Sequence, residues 1–179
     1  MNIIIVISDN ATISEKAKLM LQYVYRVVMN TEFSVIKLEK HDTKDIFDKH
    51  VNGSLTVVWR DWDSGFKLEP KMIYVSSVNS GEIKGPHIHK KRTSFFTCVH
   101  GKVVFILRDE NGKFHEIEAN AETPKMIKIP RGIASAHVNI SNQTSRVLAL
   151  ADISWKPNDN EMENVVFSEY DWRKWFISQ

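Results

Sequence analysis

Residues 81–101 read GEIKGPHIHKKRTSFFTCVHG, and the fold is decided here. His87 and His89 stand two residues apart between Gly81 and Gly101, and an apolar run begins just after them. Side chains alternate along an extended strand, so both imidazoles project from one face. Ser94–Val99 and Val103–Arg108 then read as two strands joined through His100, Gly101 and Lys102. Two histidines on one interior face, followed by a glycine-closed hairpin, predict a small β-barrel whose cavity does chemistry.

The same texture extends in both directions. Upstream, Leu55–Trp59 and Lys71–Val78 are strand candidates separated by a loop at Asp61, Asp63, Ser64 and Gly65. Downstream, Phe114–Glu118, Met126–Ile129, Ala136–Ile140 and Val147–Trp155 follow, with turn chemistry between them. Short strands at this spacing predict a sandwich or barrel rather than a parallel α/β sheet. The acidic, aromatic tail Ser168–Phe176 suits a terminal helical turn. The first 50 residues differ. Asn2–Ile7 is a compact aliphatic strand, and Thr12 with Glu15 caps a helix that runs to about Met29. Phe33–Leu38 is another strand candidate, and Asp42–His50 suits a short helix. The expected organisation is a β-α-β extension over residues 1–50, packed on the barrel or on a dimer partner, followed by the barrel over 51–179.

The chain has 179 residues with 24 basic and 22 acidic side chains, long enough for one domain with an extension. The near balance of charge provides no basic arm for nucleic acid, although Lys90, Lys91 and Arg92 form a local cluster suited to an anion contact. Cys98 is the only cysteine, which excludes an intrachain disulfide and a four-cysteine zinc site and points to a reducing compartment. No segment approaches the ~18 apolar residues of a membrane span. The expectation is a soluble, cytoplasmic protein with neither nucleic acid nor membrane as partner.

The spacing of Gly81, His87, His89, Ser94 and Gly101 resembles the first cupin motif, and Pro130, Gly132, Ser135 and Asn139 resemble the second. Serine replaces glutamate at 94 and histidine at 135, so two of the family's four metal-ligand positions carry hydroxyls. That set is a poor cage for zinc, iron or manganese. No metal and no cofactor are therefore expected. A rearranged His87, His89 and His137 metal site is the minor alternative. Within cupins, KGPHIHK, IPRGIASAHVNIS and SWKPNDNE resemble the nucleotide-sugar group, which includes dTDP-4-dehydrorhamnose 3,5-epimerase and the dTDP-4-keto-6-deoxyhexose 3,4-ketoisomerases.

The resemblance implies a cupin (jelly-roll) barrel and a metal-free isomerase or epimerase of a nucleotide-linked 4-keto-6-deoxy sugar, in surface glycan precursor synthesis. A homodimer is implied as well. His87 falls on the epimerase's general base and Lys84 on its phosphate-contacting arginine. The epimerase's catalytic lysine falls on Ser94, and its tyrosine falls on Ala149. The ketoisomerase pattern is matched more closely by GPHIHK, with Tyr74 near that group's tyrosine. Proton abstraction beside a ketone needs a base of near-neutral pKa and a donor for the enolate oxygen. The expected catalytic residues are His87, His89 and Tyr74; Lys84, Lys91, Arg92, Ser94, His137 and Trp155 are expected to hold substrate. A cupin that binds a sugar without turnover is the alternative from another class.

Overall fold

A computed structural model describes residues 32–62 and 68–176. The chain divides into two units, Met1–Thr31 and Glu32–Gln179, and the description concerns the second. The expected strand at Asn2–Ile7 and helix ending near Met29 lie outside the described residues.

Among the described residues, twelve strands form two five-stranded sheets and one two-stranded sheet, and all their pairings are antiparallel. The first sheet takes the order β1 (Ser34–Lys37), β9 (Lys125–Ile129), β6 (Ser94–His100), β11 (Ser145–Ala151), β4 (Met72–Val78). The second takes the order β12 (Met162–Asn164), β5 (Ile83–His89), β10 (Ala134–Asn139), β7 (Lys102–Arg108), β8 (Phe114–Asn120). The chain is mainly β, as expected. Among the described residues no hydrogen-bonded ladder joins the two sheets. They are held by a shared core of Val78, Phe96, Cys98 and Val147 from one and Val103, Phe105, Leu107 and Ala119 from the other. Each fully buried Val, Leu or Phe among them stabilises by roughly 1.5–3 kcal/mol.

β6 and β7 are apolar on both faces because each is interior to its sheet and covered on both sides. Behind β6, Phe95 packs with Leu38, Met126, Leu150 and the half-buried Val58, Trp59 and Leu68. Behind β7, Val104 and Ile106 pack with Phe167 and Tyr170 of the C-terminal segment. Gly101 closes the β6–β7 hairpin at φ +74°, and a Cβ there would strike Ser145 Oγ.

One local outcome differs from the sequence expectation. Phe33–Leu38 does contain a strand, β1, and it pairs with β9 in the first sheet. Asp42–His50 is not a helix. It holds the end of β2 (Lys40–Lys44) and the turn into β3 (Val51–Thr56). Asp45 Oδ1 accepts from the backbone N–H of Phe47 at 2.8 Å and of Asp48 at 3.3 Å, while Asp45 N–H donates to His50 O at 2.9 Å. Its side chain thus closes a hairpin rather than starting a helix. The expected tail turn is present as a 3-10 turn at Trp172–Trp175, capped by Asp171.

Candidate active site

The inner faces of β4 and β6 on one side, and of β5, β10 and β7 on the other, enclose a cavity of ≈ 350 Å³. Tyr74, Ser76, Lys84, His87, His89 and Arg92 supply most of its polar lining, with Ser135 and His137 from β10. Phe96 and Phe105 form its apolar wall, and Met162 reaches it from β12.

Strand parity alone would not place both Lys84 and His87 there, because they are three residues apart. A β-bulge does so. Between the partner pairs Ser135↔His87 and His137↔Lys84, β10 advances by two residues while β5 advances by three. Gly85 sits in the bulge at φ +89°, where a Cβ would lie 2.7 Å from the Ser135 carbonyl oxygen. Only glycine allows β5 to approach β10 so closely.

The buried heart of the site is a three-residue cluster. Glu161, 3% exposed, lies just before β12 and sets Oε2 2.8 Å from His89 Nδ1. Its Oε1 accepts from the Arg92 backbone N–H at 3.2 Å. The Arg92 guanidinium places Nη2 2.6 Å from His89 Nε2 and 3.0 Å from Nδ1, and its centre lies 5.9 Å from the Tyr74 ring. Burial and the Arg92 cation lower the His89 pKa, outweighing the opposite pull of Glu161. His89 is therefore neutral at pH 7: Nδ1–H donates to Glu161, and the charge of Glu161 is balanced by Arg92 rather than by the imidazole. Both ring nitrogens of His89 are occupied.

His87 contrasts with it. Its ring meets that of His89 edge-on with centroids 5.0 Å apart, and among the described residues it has no hydrogen-bond partner. Burial, and then the neighbouring His89 and Arg92, push its pKa down to about 4, so its lone pair is available at neutral pH. Burial raises the Tyr74 pKa, which keeps the phenol protonated and able to donate. Lys84 Nζ donates to Ser76 Oγ at 3.0 Å at the cavity rim.

Of the residues singled out from the sequence, His87, His89, Tyr74, Lys84, Arg92 and His137 line this one cavity. Ser94 is buried on the same face of β6 as Phe96, and its hydroxyl has no partner among the described residues. Lys91 is exposed and Trp155 is 61% exposed; neither is part of the lining. Glu161 was not singled out, although it ends the SWKPNDNE stretch. Nothing local marks a residue so far along the chain as the partner of His89. The alternative three-histidine metal site is not assembled. Among the described residues, only Asp45, Asp48 and His50, on the exposed β2–β3 turn, bring three such ligand atoms within 4.8 Å of one another.

Facing antiparallel sheets with a histidine pair on the inner wall define a fold of the cupin type. The chain belongs to the FdtA family, described as WxcM-like, C-terminal, whose family model matches residues 31–171. No curated protein matches it. Among solved structures, it shares the fold of a dTDP sugar isomerase from Desulfovibrio desulfuricans G20, at 15% identity and TM-score 0.67, covering 82% of this chain and 92% of that one. It also shares the fold of QdtA, a sugar 3,4-ketoisomerase from Thermoanaerobacterium thermosaccharolyticum in complex with TDP, at 21% identity and TM-score 0.57, covering 73% and 86%. The capsular polysaccharide assembling protein CapF from Staphylococcus aureus matches at 20% identity and TM-score 0.52 over 55% of this chain. The match spans only 29% of CapF. No helix among the described residues is long and apolar enough to cross a membrane.

Proposed function

We propose that this cavity isomerises a nucleotide-linked 4-keto-6-deoxy sugar by proton transfer beside the ketone, of the 3,4-ketoisomerase or 3,5-epimerase type, in surface glycan precursor synthesis. The observation that carries the reading is geometric: His87 stands unpartnered on the wall of a cavity that also holds Tyr74, Arg92 and Lys84. His87 takes the proton from the carbon beside the ketone, and the C–H electron pair becomes the enolate. Arg92 and Tyr74 donate to the enolate oxygen. In a ketoisomerase, His87 returns its proton to the former carbonyl carbon while Tyr74 relays the hydroxyl proton between the two oxygens. Lys84 at the rim holds the diphosphate. His89 is held by Glu161 and Arg92, and it fixes the guanidinium rather than acting as the base. No metal takes part in these steps.

Family membership and the shared fold with the Desulfovibrio isomerase and with QdtA support the substrate class. The same reading takes the enzyme to be a cytoplasmic homodimer. Incubation with dTDP-4-keto-6-deoxyglucose in deuterium oxide tests it. Deuterium is expected at a carbon beside the ketone, and His87→Asn should slow its entry by about 100-fold or more. Folded protein that exchanges no deuterium into several dTDP-4-keto-6-deoxyhexoses would refute the proposal.

A further inference from the structure

His137 is 8% exposed, lines the cavity, and its Nε2 is buried with no hydrogen-bond partner among the described residues. It stands in mid-sheet on β10, opposite Lys84 on β5 and Phe105 on β7. The Phe105 ring lies 5.2 Å away and offers nothing to bond. A buried polar group left unsatisfied costs about 1–3 kcal/mol, so the empty valence suits a ligand group.

The surroundings decide which group. Lys84 and His87 face the ring, and neither favours a second positive charge. Burial, Lys84 and His87 together push the His137 pKa down to about 4. The imidazole is therefore neutral at working pH, with one N–H to give and one lone pair to receive. A diphosphate would be drawn to Lys84 at the rim instead. A sugar hydroxyl, which both donates and accepts, matches a neutral imidazole. We propose that His137 binds a hydroxyl of the hexose ring at the cavity floor and so selects a hydroxylated sugar, while leaving the nucleotide part of the ligand unread. The inference rests on the nucleotide-sugar reading of the cavity and adds to it the residue that recognises the sugar.

Calorimetric titration of dTDP-glucose and of dTDP into three proteins separates the two claims. The parent should bind both. His137→Phe, which keeps the ring shape beside Phe105, should lose about tenfold for dTDP-glucose, the equivalent of one hydrogen bond, and less than twofold for dTDP. His137→Gln, which keeps a donor and an acceptor, should recover most of the loss. Equal weakening of both ligands, or no weakening of either, would overturn the role of His137 and leave the nucleotide-sugar site intact. A parent that binds neither ligand would overturn both. Should the phenylalanine variant fail to fold, the His137 ring nitrogens of the parent can be followed by 15N NMR. A shift on saturation with dTDP-glucose but not with dTDP is expected, and its absence would refute the proposal.

Discussion

Replacing Glu161 by glutamine removes the charge that balances Arg92 and keeps the shape. In the parent, the carboxylate accepts from His89 Nδ1 at 2.8 Å and from the Arg92 backbone N–H at 3.2 Å. Both side chains are over 90% buried, Glu161 at 3% exposed and Arg92 at 7%. Breaking such a pair on one side leaves an uncompensated buried cation, which costs about 3–5 kcal/mol. The amide oxygen still accepts one hydrogen bond, so a loss near 3 kcal/mol is expected, or roughly 6–12 °C in Tm for a domain of this size. Thermal unfolding followed by far-UV circular dichroism at pH 7.5 measures it. The neutral pair Glu161→Gln with Arg92→Met should be more stable than Glu161→Gln alone, because the stranded charge is gone. A glutamine variant that melts within 2 °C of the parent (the resolution set by ~0.5 kcal/mol) would show that Arg92 does not depend on Glu161 and would refute the cluster as described.

Two further outcomes follow from the geometry. Gly85→Ala places a Cβ at 2.7 Å from the Ser135 carbonyl in a left-handed conformation; about 2 kcal/mol or more should be lost, together with dTDP binding through Lys84, in denaturant unfolding and titration. An alanine variant equal to the parent in both would mean that the bulge does not need glycine. Stability should also fall in acid. The folded-state values of His87 and His137 are pushed from 6.5 down to about 4, so between those values the unfolded chain binds protons that the folded chain refuses. Stability is complete above pH 6.5 and declines as pH drops toward 4. His137 alone contributes about 3 kcal/mol, and the partly exposed His87 less. Urea unfolding of the parent and of His137→Phe at pH 7.5 and pH 4.5 should give a visibly shallower acid loss in the variant; equal losses would contradict the burial of His137.

The β strands were readable because alternation, apolar runs and glycine punctuation are local. Asp42–His50 forms a hairpin where the sequence suits a helix, because a turn closed by Asp45 uses the same residue types as a capped helix start. The candidate site was readable only in part. His87, His89, Lys84 and Arg92 are within nine residues of one another, and their local pattern brought them to notice. Tyr74 gained its meaning from the ladder. It is the direct β4 partner of Ala149 on β11, so a phenol stands one strand away from the position where the resemblance to the epimerases had left an alanine.

The sequence by itself determined a mainly β chain with a histidine pair on an interior face and without the donor set of a metal cupin, since these follow from residue type and a period of two. Tertiary structure decided the division of labour between the two histidines. Glu161 lies far from His89 along the chain, and only the pairing of β12 with β5 brings its carboxylate to Nδ1. That contact, with Arg92 on the other side, occupies His89 and leaves His87 free. Pairwise contacts across a fold depend on strand order and on a bulge at one glycine, and neither is encoded in the spacing of the residues that meet.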